Sequence, residues 1–296
     1  IGSVAGNVVG SRARALLLVV IFMVLLMVNA AFGTIIARMM VSDPTTVIPV
    51  WGAIAVAILI GQSIYRWKLN LPLVSLIGVV ALYALIFIGA KVPIALPKEM
   101  FGLPDVGIWI ILLFAYCGIA SMLPVWMLLQ PRDYINGLQL FVGLILLYAA
   151  IFIFQPTVVA PPVNANLPAG TPSLVPLLFV TIACGAISGF HALVGSGTTS
   201  KQINKETDIR FVGYFGAVGE GMLALAAILV SVAGFASLAD WEAMYSAFGQ
   251  GGMAAFIQGG GLVIHKGVGL DLEISKTLLG VMAALFAGTT MDTGVR

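Results

Sequence analysis

The sequence predicts an all-α, polytopic membrane bundle of about eight transmembrane helices, and three observations predict it. Hydrophobic residues make up 60% of the 296 positions while charged residues make up 9%, with a mean hydropathy of +1.10. Soluble domains carry about 25% charged residues, so a water-exposed surface cannot be built from this composition. Apolar runs approach or exceed the roughly 20 residues that cross the hydrocarbon as a helix, and short charged or Pro/Gly-rich loops separate them. Ala15 to Met27 is apolar at every position, whereas a membrane-spanning strand alternates apolar and polar over about 10 residues.

Taken in order, the apolar runs predict spans at Ala15 to Ala37, Val47 to Tyr65, Leu73 to Gly89 and Val106 to Leu129. The second half adds Gly137 to Phe154, Leu174 to Val194, Phe211 to Phe235 and Leu278 to Thr290. Residues 1–296 form one membrane domain. Pro124 is expected to kink the fourth span, Asn29 to bond across helices, and Arg132 with Asp133 to form an inside turn after Pro131. No span contains a central Arg or Lys. The Gln155 to Pro176 stretch, rich in Pro and Asn, reads as an extended outside link.

Between Ala236 and Lys276, aromatic residues Trp241, Tyr245, Phe248 and Phe256 mix with Asp240 and Glu242. That pattern fits either a helix lying in the interface or a re-entrant, packed loop, with Gly259, Gly260 and Gly261 ending the helix.

Placing the N-terminus in the cytoplasm puts nine of the 14 basic residues inside: Arg12, Arg14, Arg66, Lys68, Arg132, Lys201, Lys205, Arg210 and Arg296. Arg38, Lys91, Lys98, Lys266 and Lys276 fall outside, as the positive-inside rule prefers. Both ends are then cytoplasmic. A net charge of +2, dispersed along the chain, gives no footprint for nucleic acid. Cys117 and Cys184 lie in apolar runs and read as small buried residues rather than as a disulfide or a metal site. The chain opens without Met and stops at Arg296 just after a span, so it reads as a fragment with further helices before and after.

The stretch from Cys184 to Asp208, CGAISGFHALVGSGTTSKQINKETD, turns an apolar run into small and hydroxylated residues. Gly185, Gly189, Gly195 and Gly197 each weaken a helix by about 1 kcal/mol relative to Ala. The backbone can therefore unwind where Ser188, Ser196, Thr198 and Thr199 offer hydroxyls. Broken helices of this kind hold carboxylates and coupling ions in transporters. The competing reading is glycine-mediated helix packing. Ser188, Gly189, His191, Ser196, Gly197, Thr198 and Thr199 form the candidate substrate site.

His191 is a titratable group inside an apolar span, suited to proton relay or to an anionic substrate, or else a hydrogen-bonded packing residue. Glu220 is the acid within the seventh span, about 13 Å along it from Phe211 at 1.5 Å per residue. It lies on a stripe of Gly213, Ala217, Ala224, Ala227 and Ser231 that admits a cavity or a partner helix. An acid there is protonated or paired, which makes Glu220 and His191 candidates for proton coupling. Thr289, Asp292 and Thr293 are oxygen-rich enough for Na⁺ or a proton, though Asp292 equally fits a helix cap. No metal motif accompanies the two histidines, and no cofactor is called for. Ser188 and His191 lack an orienting acid, which argues against a hydrolase.

These residues carry a family resemblance. CGAISGFHALVGSGTTSKQINKETD resembles a segment of the carbon starvation protein A family, as do SMLPVWMLLQPRDY, SRARALLL and TTMDTGVR, across nearly the whole chain. One departure is Gly195, where Ser is common. The resemblance implies a longer protein with a LeuT-like inverted-repeat fold. It further implies a proton- or cation-coupled symporter of the cell inner membrane that takes up pyruvate or short peptides during carbon starvation. A membrane sensor or channel subunit that binds solute without moving it is the alternative. The residues leave oligomeric state open.

Overall fold

The structure, a computed structural model, describes residues 2–100, 102–164, 167–247 and 251–295, with Cys184 described in its backbone only. The expectations for the Cys184 side chain, Phe248 and Arg296 lie outside the described residues.

Among the described residues, seven helices are long and apolar enough to cross a membrane, or eight if a bent pair counts as one span. Gly2–Val8 (α1) precedes the long Ser11–Ser42 (α2), and the turn between them uses Gly10 at φ +127°. Val47–Tyr65 (α3) follows a 3₁₀ turn at Pro44–Thr46, and Leu71–Lys91 (α4) begins with Pro72 in its first turn, where no N–H is missed. A short hairpin, Glu99–Met100 (β1) with Leu103–Pro104 (β2), leads into Asp105–Met122 (α5).

The fourth span is shorter than expected. It stops at Met122, and Pro124 lies beyond the helix end rather than kinking it, its carbonyl accepting from Met127 N. Leu129–Phe154 (α6) consequently begins earlier than Gly137 and takes in Arg132 and Asp133, which are helical rather than a turn. Its end is set by Gln155 in the left-handed region, followed by Pro156.

Leu174–Ile187 (α7) and Gly189–Val194 (α8) are followed by a π-helical turn at Gly195–Thr199 and a last helical turn at Ser200–Gln202 (α9). The axis bends by 42° between the segments Leu174–Ala183 and Gly185–Gln202. Glu206–Ala233 (α10) opens with Glu206 and Asp208 in its first turn, favourable to the helix dipole.

The region after α10 forms two helices, the first mostly exposed and the second packed. Leu238–Met244 (α11) is capped by Ser237, and Trp241 donates through Nε1 to Ser231 O at 3.1 Å. Gly251–Val268 (α12) runs straight through Gly259, Gly260 and Gly261, all buried. The glycine run does not end the helix because it serves close approach. A side chain at Gly259 would collide with the Val230 carbonyl, and one at Gly260 would come within 2.5 Å of Leu279. Gly252 and Phe256 share a cavity wall with Leu223 and Ala227, and Gly259 meets Gly234, so α12 runs in the same direction as α10. Between them α11 turns the chain back into the bundle.

Gly269, at φ +80°, then reverses the chain, and Asp271 caps the final helix, accepting from Glu273 N and Ile274 N at 3.0 and 3.2 Å. That helix, Leu272–Val295 (α13), is the centre of the bundle, packed by α2, α4, α5, α6 and α12. Of its most apolar 18-residue window 72% is buried, against 6% for α2. The chain is therefore a multi-pass membrane protein built around one largely buried helix.

Candidate functional site

The break in the α7–α8 pair falls on Ser188. Its backbone leaves the helical region at φ −57° and ψ 121°, and its Oγ accepts from His191 N at 3.3 Å. One residue, not the whole glycine-rich stretch, is unwound. Gly195 to Thr199 instead widens to a π turn, a form the low helix propensity of Gly195 and Gly197 permits and one frequent at functional sites. Ser196 Oγ donates to Leu193 O at 3.3 Å, so that hydroxyl is tied to its own helix.

His191 and Glu220, expected separately, face each other. His191 Nε2 lies 3.8 Å from Glu220 Oε1, with the two side chains 59% and 56% exposed. Glu220 is paired but not buried. Around it, a Cβ placed on Gly213, Gly216, Gly219 or Gly221 would have no neighbour within 4 Å. Ala227 and Ser231, the C-terminal part of the small-residue stripe, line a cavity shared with α12 and α13.

A cavity of about 340 Å³ joins the broken segment to α13. Ser188 and His191 line one side, Thr289, Thr290 and Thr293 another, and Asp133 and Asn136 of α6 a third. Gly189, Ser196, Gly197, Thr198 and Thr199 are not on its wall. Thr289 and Thr293 donate their hydroxyls to Phe286 O and Thr289 O of their own helix, at 2.9 and 2.8 Å, which leaves their oxygen lone pairs toward other groups.

Asp292 is neither a cap nor an open cation ligand. It is 2% exposed in the interior of α13, ion-paired with Arg132, which is also 2% exposed. Tyr116 Oη donates to Asp292 Oδ2 at 2.9 Å, Cys117 Sγ to Oδ1 at 3.5 Å, and Arg132 Nη1 to Tyr116 Oη at 2.6 Å. The guanidinium already neutralises this carboxylate, so a Na⁺ would have to displace Arg132 to use it.

Sequence reasoning misses Arg132 as a buried charge because Pro131 and Asp133 beside it make PRDY look like a loop. The available signal is the isolated acid in TTMDTGVR, since a buried charge without a partner is strongly disfavoured and calls for an opposite one. Asn29 also departs from expectation: it donates within its own helix to Leu25 O at 2.8 Å, and its Oδ1 is buried without a partner. Arg132, Asn136 and Gln139 follow one face of α6 at helical spacing. Arg132 Nε, Asn136 Nδ2 and both polar atoms of the Gln139 side chain are buried with no hydrogen-bond partner. Each of these groups calls for a polar partner, an ordered water, a solute or a neighbouring segment.

The sequence profile of the family described as carbon starvation protein CstA matches residues 1–249. The chain belongs to the carbon starvation protein CstA family. The peptide transporter CstA of Mycobacterium tuberculosis is 33% identical over 239 residues, 78% of this chain and 31% of that protein. The peptide transporter CstA of Bacillus subtilis is 36% identical over 192 residues, 62% of this chain and 32% of that one. The pyruvate/proton symporter BtsT of Escherichia coli is 34% identical over 221 residues, 71% of this chain and 30% of that one. These names are those of transporters and not of enzymes. The chain spans about a third of the length of these relatives. No solved structure matches it. The match to the CstA profile covers the broken segment, Glu220 and Arg132, and ends before α12 and α13.

Proposed function

We propose that this CstA-family chain forms part of a secondary active transporter that takes up a small nutrient, pyruvate or a short peptide, by proton- or cation-coupled symport. The observation that carries this reading is the cavity of about 340 Å³ between the Ser188 break and the threonine face of α13. A helix interrupted at a cavity presents free backbone groups and hydroxyls to a solute, as transporter sites do. The names of the relatives, peptide transporter and pyruvate/proton symporter, point to the same class.

In this proposal the solute sits against Ser188, His191, Thr289 and Thr293, and the His191–Glu220 pair passes protons toward it. The fold is part of a LeuT-like inverted-repeat bundle, completed by further helices. It lies in the cytoplasmic membrane with both ends of the chain inside. Burial of Arg132 removes it from the loop charges, leaving eight of the nine inside basic residues to set that orientation.

The test is uptake by the full-length protein in proteoliposomes. Labelled pyruvate or dipeptide should accumulate against its gradient when the lumen is alkaline, and accumulation should collapse with a protonophore. Binding of solute without accumulation would instead make the protein a sensor.

A further inference from the structure

The geometry points to Arg132 as the anchor for a substrate carboxylate, held by Asp292 until Asp292 takes up a proton. This assignment rests on the transport reading above and names the chemistry of its site.

Of the three ion pairs among the described residues, this one alone has both partners buried; in the others His191, Glu220 and Glu273 are at least half exposed. A buried ion deprived of its partner is strongly disfavoured, whereas the pair as a whole is neutral. Neither charge can be released by itself. A carboxylate can replace Asp292 on Arg132 if Asp292 is neutralised in the same step. The proton forms an O–H bond on Asp292, Arg132 keeps its own protons, and the guanidinium changes carboxylates. Net charge in the site is zero before and after.

Arg132 is also only half used. Asp292 and Tyr116 both engage Nη1, while Nε has no hydrogen-bond partner. Nε is a free charged donor, but the Nη2 that shares its edge stands against Gly288, so a carboxylate meets this edge through one oxygen. One turn along α6, Asn136 is 2% exposed, lines the cavity, and has an unpartnered Nδ2 that can donate to a second substrate oxygen. Arg132 itself lines a slot of about 10 Å³ with Trp51, Tyr116 and Gly288, room for one water, while its α6 neighbours Asp133 and Asn136 line the larger cavity. A carboxylate has room in the larger cavity and not in the slot, so in this proposal it meets Asn136 first and the guanidinium swings toward it on leaving Asp292.

The groups that bear on Asp292 are few. Tyr116 and Cys117 reach it from α5 and Arg132 from α6, while Asp133 from α6 and His191 from α8 border the adjacent cavity. Asn29 of α2 and Trp51 of α3 do not titrate. On α4 the titratable side chain in the core is Tyr83, and the His265 and Lys266 of α12 lie at the far end of that helix.

A carboxylate is the chemistry common to a 2-oxo acid and to the C-terminus of a peptide. The two sources differ in charge balance. Pyruvate with one proton moves no net charge, whereas a zwitterionic peptide with one proton moves one positive charge, its ammonium matched by Asp133 on the cavity wall.

The experiment uses the full-length protein in proteoliposomes with an imposed pH gradient. Labelled pyruvate and labelled dialanine are each supplied, with pyruvamide and dialanine amide as competitors. The expected result is uptake of at least one acid, with its amide competing at least 10-fold more weakly than the unlabelled acid. Pyruvate uptake should be unaffected by a potassium–valinomycin potential and dialanine uptake accelerated by an inside-negative one. Asp292→Asn, which keeps the shape but cannot titrate, should retain exchange of the acid across the membrane while losing its dependence on the pH gradient. Amides that compete as well as acids, or an Asp292→Asn variant that still accumulates substrate with the pH gradient, would overturn the assignment and leave transport standing. Absence of uptake for both acids would overturn the transport reading and this one with it. If Asp292→Asn does not fold, the competition by amides against the native protein decides.

Discussion

Gly288 of α13 stands beside the guanidinium of Arg132: a Cβ on Gly288 would lie 2.5 Å from Arg132 Nη2. The absence of a side chain on one helix thus makes the buried charge of another possible. Gly288→Ala should push the guanidinium away from Asp292 and leave two buried charges mispaired. Breaking a buried pair costs about 3–5 kcal/mol. A thermal melt of the detergent-solubilised protein should fall well below that of the native chain. Gly137→Ala, on α6 with nothing within 4 Å of the new carbon, should melt at or above the native temperature. Equal behaviour of the two variants would contradict the close fit at Gly288.

Much of this architecture is legible from apolar runs, because membrane helices announce themselves by composition alone. α3 has the predicted bounds, and the α7–α8 break falls within the stretch where glycine and hydroxyl residues replace apolar ones. What apolar runs cannot register is a polar residue that has found its partner on another helix. Arg132 reads as a loop charge and Asp292 as a cap when each motif is judged without the other. Gly259 to Gly261 shows the same limit. Low helix propensity argues for an end, but packing against Val230 and Leu279 decides, since only a residue without Cβ admits such close backbones. Seven of the predicted spans are single helices, and α12 escapes notice because its glycines, His265 and Lys266 dilute its hydropathy.

That packing role gives a second prediction. Gly259→Val would place carbon against the Val230 carbonyl and near Gly234, at the point where α10 and α12 touch backbone to backbone. Overpacking of this kind costs about 1–3 kcal/mol. The variant should melt lower and should expose α11 and α12 to limited proteolysis. Gly221→Ala, in open space on α10, gains helix propensity of about 1 kcal/mol and should not. Protease resistance unchanged in Gly259→Val would show that the α10–α12 contact is looser than described.

Asp43, in the link between α2 and the 3₁₀ turn, is pushed above the usual carboxylate value of 3.8 by burial, with Ser42 donating to it and Lys276 nearby opposing the shift. The folded chain therefore binds the proton more tightly than the unfolded one. Above the folded value Asp43 is charged in both states and the burial penalty is fully present; below 3.8 it is protonated in both and the penalty is gone. Asp43→Asn should stabilise the protein slightly at neutral pH, by less than about 1 kcal/mol as substitutions outside the core do. The gain over native should shrink as pH falls through the folded value and vanish below 3.8. A melting-temperature difference that does not change between about pH 7 and pH 3 would rule out a titrating Asp43 as its origin.

The His191–Glu220 contact separates relay from storage of the proton. His191 lines the cavity and lies 3.8 Å from Glu220, which places Glu220 one step further from the solute than His191. Gln keeps the shape and hydrogen-bonding capacity of Glu and removes only the titrating acid. Glu220→Gln should accordingly leave insertion and melting temperature near native, while the rate of proton-driven uptake drops at low buffer capacity. The accumulation ratio reached at long times should be unchanged, because a relay alters how fast protons arrive and not how many move per solute. Asp292→Asn should do the reverse, removing the dependence of accumulation on the pH gradient. An initial rate in Glu220→Gln equal to native across about pH 5 to 8, the range in which His titrates, would take Glu220 out of the proton path.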